Sequence, residues 1–257
     1  MKGLRFSAIA TIRCVTLSLT LLLSGQSVAS ERNNSSDWDY RLTPYLWGAN
    51  ISANALGREL DVPFSTLLDD LSMGFMGDFQ VRRDKWPFGL DVLYMDESVS
   101  KNESITLPGE GPVNIGGSAE LKAWVVTPAV GYALVDSDTK RFEVFGGLRY
   151  LDIQAEAKLT AQDEVFLDGK TDTSYWDAIG GALGYFDLSD KWYISVYGDI
   201  GFGDSKDTWQ LMAGVAYRFK KVDARLVYRY MKYSFDSDDL LDDLVLKGPA
   251  LGFSFYF

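Results

Sequence analysis

The chain has 257 residues, with 25 Lys and Arg against 36 Asp and Glu and a formal net charge of −11. That balance excludes nucleic-acid binding, which requires a basic surface to displace counterions from phosphates, and it excludes a polybasic membrane patch. There is no His and a single Cys, so imidazole chemistry and disulfides drop out, while an aromatic content of 14% and 24 Gly point toward strands and turns.

Residues 1–29 read as a secretory signal peptide. Lys2, Arg5 and Arg13 give a basic start, Val15 to Leu23 an apolar run, and Ser27 and Ala29 the small-residue spacing of a cleavage site. The run is too short to cross a bilayer as a helix, which takes about 20 apolar residues. Cys14 lies upstream of the cut, so residues 30–257 are expected to carry neither disulfide nor lipid. Removing the three basic residues takes the formal charge from −11 to −14.

The first strand is expected over 40–53, and its faces are ambiguous: either Leu42 and Leu46 or Tyr45, Trp47 and Ile51 could meet lipid. Residues 54–71 are assigned to an external excursion. At its end, Ser65 as N-cap and a stripe of Leu67, Leu68 and Leu71 predict a short helix within Val62–Met73 (VPFSTLLDDLSM), a structural lid at the barrel mouth by default and a ligand gate as the alternative. Further strands are expected at 72–83, 86–99, 118–135, 141–158, 174–188, 191–204, 207–219, 222–235 and 245–257. Alternation with period two carries them. Trp86, Phe88, Leu90, Val92 and Tyr94 share a face opposite Asp91 and Leu93; Phe142, Val144, Leu148 and Tyr150 oppose Arg141, Glu143 and Arg149. Trp192, Ile194, Val196, Ile200 and Phe202 oppose Tyr193, Ser195, Tyr197 and Asp199, and Leu251, Phe253, Phe255 and Phe257 alternate with Gly252, Ser254 and Tyr256.

Apolar faces of this length suit a strand tilted through a bilayer. Many begin and end in Trp, Tyr or Phe, the rings that settle at headgroup level. A periplasmic β-sandwich would alternate too, but has no reason to bracket its stripes with aromatics. Short connections (83–85, 136–140, 188–191, 220–221) mostly alternate with long ones (100–117, 159–173, 236–244), as in outer-membrane barrels. The exception is 203–207, a short turn on the outer side. Ten strands return both ends to the periplasm. The expected fold is therefore all-β: a ten-stranded antiparallel transmembrane barrel over residues 30–257, in the cell outer membrane, surrounded by its lipids and lipopolysaccharide.

Thr43–Trp47 (TPYLW), Phe64–Leu71 (FSTLLDDL) and Arg82–Met95 (RRDKWPFGLDVLYM) resemble a group of proteobacterial outer-membrane barrels with no assigned activity. A terminal Phe with apolar residues at alternate upstream positions, here Phe253, Phe255 and Phe257, resembles the signal read by the barrel assembly machinery of Gram-negative bacteria. That resemblance implies the machinery as a partner.

Without imidazole, proton transfer near neutral pH needs a strongly shifted Glu or Lys, so an outer-membrane enzyme ranks third among the functions. The inward faces are expected to carry Asp78, Gln80, Arg82, Asp91, Glu143, Arg149, Asp177, Asp199, Arg218, Arg225 and Arg229. Two readings of that charge network compete. Opposed charges could line a narrow channel for ions or small solutes. Alternatively, the narrow interior of a small barrel is filled by side chains, and charges buried there must pair; the near balance of acids and arginines favours this closed lumen. The acidic stretch 236–244 lacks the spacing of an EF-hand loop and reads as a solvated loop. No metal or cofactor is expected, and the favoured role is a non-enzymatic structural or interaction barrel of the envelope.

Overall fold

A computed structural model describes residues 38–55, 58–62, 71–107, 111–161, 164–235 and 241–257. The described residues form strands β1 (Asp39–Trp47), β2 (Asn50–Ala55), β3 (Arg58–Val62), β4 (Leu71–Arg83), β5 (Trp86–Leu107) and β6 (Gly111–Asp136). They continue as β7 (Lys140–Ala161), β8 (Glu164–Asp187), β9 (Trp192–Gly203), β10 (Asp207–Arg218), β11 (Val222–Ser234) and β12 (Leu241–Tyr256). From β4 onward each strand pairs antiparallel with the next, β1 pairs with β4, and β12 returns to β1. In that closing seam Leu42 stands opposite Phe255 and Leu46 opposite Leu251. Beyond it the Phe257 amide donates to the Tyr40 carbonyl at 3.1 Å.

β1 and β2 form one wall strand, because both pair along β12. The interruption lies at Gly48 and Ala49, where Gly48 N donates to Pro249 O at 2.8 Å. Proline has no amide to return that bond, and the ladder bends there. β3 folds back on β2, Ile51 opposite Val62, and pairs with no other described strand. The wall is thus a closed barrel of ten strands. Of the helix expected within 62–73, Val62 ends β3 and Leu71–Met73 open β4 as strand, and 63–70 lie outside the described residues; the signal peptide at 1–29 also falls outside them.

Three long connections are corrected; of 236–244, expected as a solvated loop, the described residues Leu241–Leu244 belong to β12, with Asp243 opposite Ser234. Residues 100–117 and 159–173, expected as loops, mostly continue the strands, with Leu107 opposite Gly111 and Ala161 opposite Glu164. These stretches hold only short apolar runs, such as Ile105–Leu107 and Val165–Leu167, set among polar residues, and no continuous apolar face of membrane-spanning length. Outside the bilayer a ladder needs only its backbone bonds and cross-strand neighbours, so polar sequence is compatible with strand there. β5 to β8 consequently rise beyond the barrel as two long hairpins. Tight turns close the opposite end at Asp84–Lys85, 137–139, 188–191 and 219–221, beside Trp38 and Phe257. Asp84 takes a left-handed φ of 52°, which Asp tolerates better than most residues.

Strand curvature is set in part by glycine. A Cβ at Gly147 would stand 2.3 Å from the Pro128 carbonyl oxygen, and one at Gly181 would stand 2.2 Å from that of Gly198. Pro128 lies where the β6–β7 ladder is interrupted, between Val126–Tyr150 and Ala129–Gly147. Neighbouring backbones approach so closely there that only hydrogen fits. Gly146 and Gly180, by contrast, face outward with nothing nearer than 3.8 Å.

The outer face carries Leu46, Phe75, Leu90, Leu148, Val196, Ile200, Leu211, Leu226 and Phe253, all exposed. Leu42 and Leu46 point out while Thr43 and Trp47 are buried, which resolves the first strand's faces. Cross-strand ring pairs bracket this band. Tyr94–Trp124 (4.5 Å), Tyr150–Trp176 (4.7 Å) and Trp209–Tyr230 (4.7 Å) mark the outer rim. Trp86–Tyr132 (5.0 Å) and Trp192–Tyr217 (4.9 Å) mark the inner rim. Val196 lies midway on β9, so Val196→Arg is expected to cost about 2–4 kcal/mol of stability in lipid vesicles. Urea unfolding followed by Trp fluorescence, with folding checked by faster migration of the unboiled protein on gels, reads this out.

Candidate functional site

Side chains on the inner wall form layers, each set by the registers of adjacent strands. Nearest the tight turns, Arg218 grips Asp187 with both terminal nitrogens, at 2.8 and 2.6 Å. Arg82 contacts Glu143, both buried, and lies 3.7 Å from Asp136. Asp223 accepts the hydroxyls of Tyr193 (2.9 Å) and Tyr256 (2.7 Å).

One layer outward, Arg41 donates to Asp78 and to the Tyr185 hydroxyl, each at 3.0 Å. Asp91 accepts from Tyr45 (2.7 Å) and Arg229 (2.9 Å), and Arg229 also donates to Tyr45 and Gln210, each at 2.7 Å. In the next layer Arg149 is 0% exposed and reaches Asp199 at 2.6 Å, with Thr208 at 3.2 Å. Asp199 is shared with Tyr197 at 2.6 Å and Gln210 at 3.3 Å.

Above the charges the lumen changes character. Trp47, Leu93, Met95, Val125, Leu151, Ile153, Tyr175, Met231, Tyr233 and Phe235 form one buried apolar cluster. Leu93 and Leu151 are each 1% exposed, and Met231 and Tyr233 are 0%. These residues are inward neighbours of the outer-rim rings, so the cluster plugs the barrel at and beyond that rim. Arg229 joins the two zones, its guanidinium 4.7 Å from the Trp47 ring centre, a favourable cation–π distance.

Charge inside and hydrocarbon outside invert the arrangement of a water-soluble domain. Only a lipid exterior stabilises that inversion in a closed barrel. The chain is an outer-membrane β-barrel.

No family model matches the chain and no curated protein matches its sequence, so the resemblance carried by Thr43–Trp47 and Arg82–Met95 gains no family from them. Among solved structures it is similar to the translocator domain of the autotransporter NalP from Neisseria meningitidis. They share 11% identity over 88% of this chain and 90% of that one, with a TM-score of 0.45. Neisserial surface protein A gives 13% identity, 85% and 97% coverage and a TM-score of 0.35. The N-terminal β-barrel domain of Pseudomonas aeruginosa OprF gives 10%, 85%, 97% and 0.33. Similarities of this size assign no ligand or activity to this chain.

Of the charges expected in the lumen, Asp78, Arg82, Asp91, Glu143, Arg149, Asp199, Arg218 and Arg229 meet opposite charges. Asp177 does not. Its carboxylate accepts the backbone amide of Ser205 at 3.1 Å and its hydroxyl at 2.8 Å, and so ties the outer β9–β10 turn. Arg225 has no ion-pair partner among the described residues, and its Nε is buried without a hydrogen bond. Phe253 and Phe255 point outward along the closing strand, and Phe257 follows it.

Sequence reasoning missed Arg41, because the faces of β1 were ambiguous, and Asp187, although counting by twos from Asp177 reaches it. Alternation placed Tyr193, Tyr197 and Tyr256 on inward faces but gave them no part in the charge network, and it left Tyr45 and Tyr185 unassigned. The plug was legible only as a hint: Leu93 on the polar face of its strand.

A buried charge whose partner is removed is strongly penalised, whereas replacing both partners together is milder. Arg149→Met is expected to lose about 3–5 kcal/mol, and the double variant Arg149→Met with Asp199→Leu to lose less. Equilibrium unfolding of the three proteins in detergent micelles tests the ordering.

Proposed function

We propose that the protein is a non-catalytic outer-membrane barrel whose lumen stays closed, serving the envelope as a structural barrel that presents its long external hairpins to ligands or partners. The observation carrying this reading is the stacking of two different seals in one lumen: the paired charges around Arg149–Asp199, and the apolar plug of Leu93, Leu151, Met231 and Tyr233 beyond them. Either would impede hydrated ions. Together they favour occlusion over the narrow channel, which a chamber of about 190 Å³ on the inner side of the plug supports as second reading. The absence of His and the engagement of nearly every lumen carboxylate by Arg, Tyr or Ser argue against acid–base catalysis.

In planar bilayers the protein is expected to give no discrete conductance steps. A variant with Leu93, Leu151 and Met231 changed to Gly is expected to give small steps that report loss of the plug. Sustained unitary currents from the unaltered protein overturn the closed-lumen reading in favour of the channel.

Outer-membrane lipids and lipopolysaccharide would surround the band, and the barrel assembly machinery would read Phe253, Phe255 and Phe257. Deleting Phe257 is expected to lower the amount of heat-modifiable barrel in membranes several-fold, while the purified chain still folds in detergent. Unchanged amounts in membranes count against that role.

A further inference from the structure

Beneath the apolar plug all ten wall strands contribute to a chamber of about 190 Å³. Five of the six lumen arginines facing it or adjoining it hold carboxylates: Arg41, Arg82, Arg149, Arg218 and Arg229. Arg225 is the exception. It lines the chamber, and no carboxylate among the described residues pairs with it. Its nearest acid along the strand, Asp223, already accepts the Tyr193 and Tyr256 hydroxyls.

The flanking positions leave this guanidinium room. Arg225 stands opposite Gly252 on β12 and opposite Ala216 on β10, so neither neighbour extends a side chain long enough to cover it. The other lumen arginines are each held by a carboxylate. An unpaired guanidinium in a low-dielectric enclosure is costly, and the cost falls when an anion supplies the missing acceptor. The rest of the chamber suits the remainder of such a molecule. Phe145, Leu183, Met212 and Val227 give it apolar walls, and the Thr127 hydroxyl is buried without a hydrogen-bond partner among the described residues.

We propose that the chamber is a binding site for a small organic monoanion, whose carboxylate pairs with Arg225 and whose apolar body packs against Phe145, Leu183, Met212 and Val227. The volume limits its size. An engineered protein cavity of about 150 Å³ takes benzene, so this chamber admits a single ring bearing a carboxylate rather than a long acyl chain. A planar carboxylate matches the forked donors of a guanidinium. The site goes beyond the closed barrel proposed above and rests on the chamber alone; binding and conductance are separate measurements, so either proposal can fail without the other.

Isothermal titration of the detergent-folded barrel with benzoate, and with benzamide as its neutral counterpart, tests the inference. Benzoate is expected to bind saturably at one site and benzamide at least about tenfold more weakly, reflecting the loss of a charge-assisted pair. Arg225→Gln is expected to weaken benzoate by a similar factor, with folding confirmed by faster migration of the unboiled protein. Val227→Trp, which fills the chamber and leaves Arg225 in place, is expected to abolish binding, and it decides the matter if Arg225→Gln does not fold. The proposal is overturned by the absence of saturable benzoate binding, by equal binding of benzamide, or by unchanged benzoate affinity in a folded variant.

Discussion

The structure depends on a backbone constraint. Hydrocarbon offers no partner to an amide or a carbonyl, so each strand crossing it must be bonded on both sides. An open sheet fails at its two edges. The pairing of β1 with β12, Leu42 against Phe255 and Leu46 against Leu251, is what removes those edges, and the arrangement of every other layer follows from it. Closure fixes which face of each strand is convex. It also sets a lumen narrow enough that inward side chains from opposite walls come into contact.

Inside that wall two solutions to a narrow interior are stacked. Within the band, inward charges are retained and paired, with tyrosine hydroxyls supplying the hydrogen bonds that arginines leave unmade: Tyr45 on Asp91, Tyr197 on Asp199, Tyr193 and Tyr256 on Asp223. Such networks lock a unique arrangement, because removing any one partner strands a charge. At the outer rim the wall turns apolar on its inner side as well, and the barrel acquires a small core of the kind found in soluble proteins. The change occurs over one step along each strand, from Asp91 to Leu93 on β5 and from Arg149 to Leu151 on β7.

Much of the candidate site could be read from alternation alone. A residue two positions from a known inward charge is also inward, which placed Asp91, Glu143, Arg149, Asp199, Arg218 and Arg229 correctly on the lumen side. Pairing partners were not legible, because strand order around a closed wall brings residues far apart in sequence together: Arg229 meets Asp91 across 138 positions. Alternation placed Tyr193, Tyr197 and Tyr256 inward without revealing their role, since the same amphipathic ring suits a membrane interface and a polar lumen. The solitude of Arg225 depends on Gly252 and Ala216 in neighbouring strands, and no property of β11 by itself reveals it.

Sequence by itself determined the class of solvent around the protein. Period-two alternation of large apolar groups, bracketed by aromatics and joined by tight turns, is a local property, and it is enough to specify strands with one face in lipid. It also determined the number of crossings, because each crossing leaves its own alternating stretch. Only the tertiary structure decided where the strands stop, since pairing in water needs no continuous apolar face and β5 to β8 run well past the band. Tertiary structure alone also decided the contents of the lumen. Which charges neutralise one another, where the apolar plug lies and which arginine is left without a partner are set by register across a closed wall, a long-range quantity that no single strand encodes.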